Sequence, residues 1–213
     1  MVTLPPYRTE RNALSDLFQR LGPDAPTLCE GWRTVDLATH LVVRERKPLA
    51  AAGLVLGGPF RSMLEREMQR TKEANTYDAL VALVRSGPPA FARPVDSLFN
   101  LTEFFVHHED VRRGGGDTTP RPAGEIAGVE EALWRSLRRG AMLAARNVHG
   151  AGLELRRPDG QVLRARRGTP TATLVGRAGE LVLYLSGRGA SAHVDLDGPP
   201  EALSAIESAS FGI

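Results

Sequence analysis

Hydrophobic residues recur with a helical period over the first two thirds of the chain and with an alternating period over the last third. Leu14, Leu17, Phe18 and Leu21 fall at i, i+3, i+4 and i+7, which is one face of a helix, and Gly22-Pro23 ends the run. Beyond Gly31-Trp32, Thr34 is placed to cap a second helix that reaches about Ala52 and ends before Gly57-Gly58-Pro59. Asp36 lies in its first turn, where the helix dipole favours a carboxylate. Residues 60–74 predict a polar, charged helix. Thr76 can cap the next, which carries Leu80, Leu83 and Val84 before Gly87-Pro88-Pro89. Pro94 precedes a helix through Glu103 and His107 that Gly114-Gly115-Gly116 ends. A long helix from about residue 124 to 147 then presents Val129, Leu133, Leu137 and Leu143.

At Gly150 the period changes. Leu153 and Leu155 alternate with charged residues, Asp159-Gly160 is a hairpin turn signal, and Val162 opens the return strand. Thr171 to Val175, Leu181 to Leu185 and His193 to Leu196 read as three more short strands. Pro200 to Ser208 reads as a terminal helix with its proline in the first turn. The predicted organisation is an N-terminal all-α helical bundle over 1–148 followed by a small α+β domain over 149–213.

Composition narrows the function classes. The formal charge is +2, and all the basic residues except Lys47 and Lys72 are arginine. The short arginine runs, such as Arg164-Ala165-Arg166-Arg167, have no interleaved aromatic residues for base stacking. They read as solvated surface rather than a nucleic-acid interface. Cys29 is the single cysteine, so an intramolecular disulfide and a thiolate-rich zinc site are both excluded within one chain. No leader-like N-terminus and no long uncharged apolar run is present, so a cytoplasmic protein without membrane partners is expected, and a monomer is compatible with all of this.

The candidate chemistry lies in two helices. Glu103 and His107 are four residues apart with no helix breaker between them, so a helix stacks a carboxylate and an imidazole on one face. Positions 99, 103, 106, 107 and 110 lie within about 60° of Glu103 around that helix. Three of these, Glu103, His107 and Asp110, are ionisable, and a bundle can bury them only if they are paired or bound to a metal. The competing reading turns this face to solvent and points Leu101, Phe105 and His108 inward. His40 on the second helix would supply a third ligand, and three protein ligands leave the open position that metal catalysis requires. A histidine beside Leu37 and Leu41 also fits an ordinary core position. Asp36-x3-His40 repeats the carboxylate-to-histidine spacing, and Asp36 then serves as a supporting or helix-terminus residue. His108 points about 100° away from His107, and His108, His149 and His193 read as structural.

The segment Cys29-Glu30-Gly31-Trp32-Arg33-Thr34-Val35-Asp36-Leu37-Ala38-Thr39-His40-Leu41, together with Glu103-Phe104-Phe105-Val106-His107-His108-Glu109-Asp110-Val111-Arg112-Arg113, resembles the mycothiol-dependent maleylpyruvate isomerase family. That family belongs to the DinB/YfiT-like metal-binding superfamily, and the likeness is to an actinobacterial branch of it. The C-terminal segments Gly179-Glu180-Leu181-Val182-Leu183-Tyr184-Leu185 and His193-Val194-Asp195-Leu196-Asp197-Gly198 are similar to the family's second domain, which is related to sterol-carrier folds.

The resemblance implies a four-helix-type bundle that holds a divalent metal, usually zinc, through His40, Glu103 and His107. It implies mycothiol as the thiol cofactor and a small electrophilic molecule as its partner. Coordination stabilises a thiolate at neutral pH. In an isomerase the thiolate adds to an activated double bond, allows rotation and leaves; in a transferase it attacks the electrophile and stays attached. The family uses a C-terminal arginine for the acceptor, for which Arg188 and Arg177 are the candidates here. The same ligands would also suit a metal-dependent hydrolase, or a non-catalytic module that binds metal or a small ligand.

Overall fold

The computed structural model describes residues 4–47, 59–89 and 96–212. The expected extension of the second helix to Ala52, the glycines at 57 and 58, and Pro94 lie outside the described residues. The chain divides into two compact units, Met1–Asp117 and Thr118–Ile213. No helix among the described residues is long and apolar enough to cross a membrane.

The N-terminal unit contains helices α1 (Pro6–Leu21), α2 (Thr34–Arg46), α3 (Pro59–Glu73), α4 (Tyr77–Ser86) and α5 (Asp96–Arg113). Helix α1 packs on α4 and α5, and α2 packs on α3 and α4. The shared core is built from Leu14, Leu17 and Phe18 of α1, Leu37, Ala38 and Leu41 of α2, Leu80, Val81 and Val84 of α4, and Phe104 and Val111 of α5. Leu21, expected on the apolar face of α1, is exposed instead, in the last turn before Gly22.

The start of α2 is capped differently from the expectation. Arg33 is the N-cap, and the Asp36 carboxylate reaches back to accept its backbone N–H at 3.0 Å. The Thr34 hydroxyl donates to the Gly22 carbonyl, which ties the entry of α2 to the end of α1. Burial alone would raise the Asp36 carboxyl, but hydrogen bonds from Lys72 and the Arg33 amide outweigh it and hold the group below its ordinary value. Thr76 does cap α4, its hydroxyl accepting from Ala79 N–H at 3.3 Å.

The C-terminal unit contains α6 (Ala127–Ala144), β1 (Gly152–Arg156), β2 (Val162–Arg166), β3 (Thr171–Val175), α7 (Ala178–Leu183), β4 (Asp195–Asp197) and α8 (Pro200–Glu207). Its sheet has the order β2-β1-β3-β4, with β1 antiparallel to β2 and parallel to β3, and β4 antiparallel to β3. Val129, Leu133 and Leu137 are buried as their spacing predicts, whereas Leu143 in the last turn is exposed.

Two features of this half differ from the sequence expectation. Helix α6 packs against α7 and β2, so it belongs with the sheet, and the unit begins at Thr118 rather than at 149. Helical periodicity identifies a buried face without specifying which body covers it. The second difference is the segment Leu181–Leu185, which is helical: it forms the end of α7 and then a wide turn over Tyr184–Arg188. An apolar run of this length suits a buried strand or a buried helix equally well. The Glu180 carboxylate in the first turn of α7 accepts from His193 N–H at 2.8 Å, and Gly179 N–H donates to Glu130 of α6 at 3.1 Å. These partners, all distant in sequence, anchor the helix.

Candidate metal centre

Helices α2 and α5 bring His40, Glu103 and His107 together. One ligand atom from each lies within 4.8 Å of the others. Glu103 Oε1 is 3.5 Å from His40 Nε2 and 3.2 Å from His107 Nε2. The second contact follows from the i, i+4 spacing on α5; the first requires the two helices to meet. The His40 and His107 rings lie edge to face with centroids 5.4 Å apart, and the Trp32 ring lies 5.2 Å from His40, tilted by 51°. Trp32, two residues before the first residue of α2, thus walls the histidine.

His107 is oriented from behind. Its Nδ1 lies 2.9 Å from Asp110 Oδ2, one turn further along α5. That carboxylate oxygen also accepts from Cys29 Sγ at 3.2 Å, and the Asp110 carbonyl accepts from Leu28 N–H at 2.9 Å. The loop through Cys29 is held against the end of α5 by close approach. A side chain at Gly114 would collide with the backbone of Pro26 and Thr27. With Nδ1 bonded to a carboxylate, His107 presents Nε2 to the Glu103 side, the arrangement in which a carboxylate fixes the tautomer of a metal-binding histidine.

Electrostatics distinguish the three residues. Burial pushes the His40 imidazole down more than its neighbours raise it, so it is held neutral. Burial would raise Glu103, but hydrogen bonds from His107 and His40 and the charge of Arg44 keep its carboxyl well below the ordinary range. Burial would lower His107, yet hydrogen bonds to Asp110, Cys29 and Glu103 hold it well above its ordinary value. Among the described residues, the buried His40 Nδ1 has no hydrogen-bond partner. Such an orphan costs about 1–3 kcal/mol in a packed interior; four other such atoms among the described residues, all on arginines, lie outside the triad.

Two imidazoles and a carboxylate, with a carboxylate behind one imidazole, are a donor set that suits zinc or a similar divalent ion. A second group, Cys29, His107 and Asp110, also places one ligand atom from each within the same 4.8 Å. Its short hydrogen bonds make it the supporting layer of the first. The helical spacing already put Asp110 on the face of His107; nothing in the sequence signals Cys29, which a loop distant in sequence brings against Asp110.

The other predicted residues lie elsewhere. Asp36 caps α2 and pairs with Lys72 at 2.7 Å. Arg177 donates to the Arg121 carbonyl at 2.7 Å and lies 3.0 Å from Glu130, within its own unit. Arg188 donates to the Ser186 carbonyl at 2.6 Å in the wide turn after α7. His108 pairs with Glu10 at 3.0 Å, and His193 Nε2 approaches the Thr118 hydroxyl at 3.2 Å. A groove of about 440 Å³ on the N-terminal unit, lined by Val43, Lys47, Glu67 and Asn75 among others, includes none of the three convergent residues.

Fold and site together define a two-unit protein: a helical unit with a buried His/Glu/His convergence, and an α+β unit built on a four-stranded mixed sheet. No protein-family model and no curated protein sequence matches the chain. Two solved structures share its fold: the mycothiol-dependent maleylpyruvate isomerase, with a TM-score of 0.59, and a histidine-to-alanine mutant of that enzyme, with 0.61. Each aligns with 92% of this chain and 92% of its own length at 17% identity.

Proposed function

We propose that this protein is a divalent-metal-dependent enzyme that uses mycothiol either to isomerise a small electrophilic substrate or to join the thiol to it as an S-transferase, with His40, Glu103 and His107 as the metal ligands and zinc as the expected ion. The observation that carries the reading is the convergence of these three side chains from two helices, within 4.8 Å of one another. The shared fold with a mycothiol-dependent isomerase supports the choice of thiol.

Each residue has a definable task. His40, held neutral by burial, offers a nitrogen lone pair. Glu103 supplies the anionic ligand, and its low pKa keeps it ionised at any physiological pH. Asp110 fixes the His107 ring so that Nε2 faces the other two ligands, and Trp32 keeps the His40 ring in place. A cation bound by three protein ligands supplies one further service, stabilising a coordinated thiol as its thiolate.

The test has two stages. Purified protein is expected to carry about one equivalent of zinc or a similar metal, and His40→Ala and His107→Ala to carry almost none. Full retention of metal in both variants would defeat the assignment. The cobalt-substituted protein is then titrated with mycothiol, and a sulfur-to-metal charge-transfer band is expected. Metal binding without any thiol affinity would leave a metal- or small-ligand-binding module and no thiol enzyme.

A further inference from the structure

The formal charge of +2 is spread unevenly along the chain. Residues 135–167 carry nine arginines against two carboxylates, Glu154 and Asp159, and the remainder of the chain is acidic on balance. Both carboxylates are already engaged, Glu154 with Arg164 at 3.1 Å and Asp159 with Arg157 at 3.1 Å. Arg138, Arg139, Arg146 and Arg167 are exposed and, among the described residues, have no ion-pair partner. Arg138 and Arg139 lie before the last turn of α6, which contains no basic residue, so the helix dipole does not account for them.

Apolar side chains stand among these cations. Five large apolar residues are exposed in the described part of the molecule, and three are here: Met142 at 69%, Leu143 at 67% and Val162 at 50%. Met142 follows Arg138 by four residues and Leu143 follows Arg139 by four, so each shares a helix face with its arginine. The opposite face of α6, through Leu133, Trp134, Leu137 and Ala141, is buried. Met142 also lines a groove of about 410 Å³ with Val162, Arg164 and Arg167, which joins the helix ridge to the edge strand β2 in one surface.

Cations without partners attract an anion, and protruding apolar groups are stabilised only where water is excluded. Nucleic acid would take the arginines and leave the apolar tips wet, and residues 135–167 contain no Phe, Tyr or Trp on which bases could stack. A second copy of the same face would bring like charges together. An acidic protein would need pockets matched to the tips. An anionic bilayer supplies phosphates for the guanidinium forks and, just beneath them, an apolar layer that requires no matching shape. The lack of a spanning helix among the described residues bears on crossing a bilayer and not on contact with its surface.

We propose that the α6–β2 face of the C-terminal unit docks on an anionic phospholipid surface, with Met142 and Leu143 entering the headgroup region and Arg138, Arg139 and Arg167 on lipid phosphates. The contact is independent of the metal centre.

The test is co-sedimentation of the full-length protein with vesicles of equal parts phosphatidylglycerol and phosphatidylcholine, against vesicles of phosphatidylcholine alone. Binding to the anionic vesicles is expected to be about tenfold tighter or more, and to weaken as salt rises. Arg138→Gln with Arg139→Gln and, separately, Met142→Ser with Leu143→Ser are each expected to weaken it by about tenfold, with the helical circular dichroism unchanged because all four side chains are exposed. Arg167→Gln, across the groove, repeats the charge test away from the helix and is expected to weaken binding by about threefold. No binding of the parent to anionic vesicles, equal binding to neutral ones, or undiminished binding by either double variant would each overturn the proposal. Duplex DNA is offered in the same assay. Tight DNA binding by the parent that the Met142 and Leu143 variant keeps, without vesicle binding, would overturn it in favour of a nucleic-acid backbone.

Discussion

Helix α5 carries two buried polar clusters that make an internal control for each other. In one, His108 pairs with Glu10 at 3.0 Å, and Glu109 is clamped by Arg112 at 2.7 Å and Arg113 at 2.6 Å. In the other, Glu103, His107 and Asp110 converge with His40, whose buried Nδ1 has no hydrogen-bond partner among the described residues. Both clusters take charge out of water on the same helix. The first closes on itself through opposite charges, as a buried network must if it is only to be tolerated. The second gathers donor atoms around one point, with Arg44 beside Glu103 at its margin. What separates a structural cluster from a candidate site here is whether the polar atoms use one another up.

The comparison can be broken most severely at the ligands. His107→Ala should reduce bound zinc from about one equivalent to almost none while leaving the helical circular dichroism intact. An unchanged metal content would put both clusters in the structural class. Glu109→Ala should do the reverse, lowering stability by about 3–5 kcal/mol in denaturant unfolding because it removes the carboxylate that two arginines share, one of them buried. The metal bound per folded molecule should stay the same, and a selective loss of metal would mean that the clusters are coupled.

A subtler probe is Asp110→Asn, which keeps the shape but weakens the grip on His107 Nδ1. Competition with a chelator should show metal affinity falling by about 10–100-fold. No change would show that the Asp110 contact is packing alone. The smallest effect is expected away from both clusters, at the cap of α2. The Asp36 carboxyl sits below its ordinary 3.8 in the folded chain. Its contribution is therefore present above about pH 4 and is lost as pH falls through the lowered value. Asp36→Ala should cost about 0.5–1 kcal/mol at neutral pH and nothing in strong acid. A cost that persists undiminished in strong acid would assign it to packing.

Much of this architecture is legible along the chain because helices and hairpins are local. The Thr76 cap, the Asp159-Gly160 hairpin, the strand over 171–175 and the terminal helix from Pro200 each follow from a few neighbouring residues. The failures occur where local signals are degenerate. Leu181–Leu185 has the composition of a strand and becomes helix and turn because Glu180 and Gly179 find partners in distant segments. Helix α6 has a clear apolar face, but the face does not name the sheet that covers it.

The same division runs through the site. The sequence by itself determined that Glu103 and His107 share a helix face, since 3.6 residues per turn leaves no other outcome, and that Asp110 follows on the same side. It also determined that thiolates from this single-cysteine chain could not build the site alone. Only the tertiary structure decided that His40 meets that face, that Asp110 and Cys29 stand behind His107, and that Arg44 lies beside Glu103. These are contacts between residues tens of positions apart, and they depend on how two helices pack, which no local period encodes.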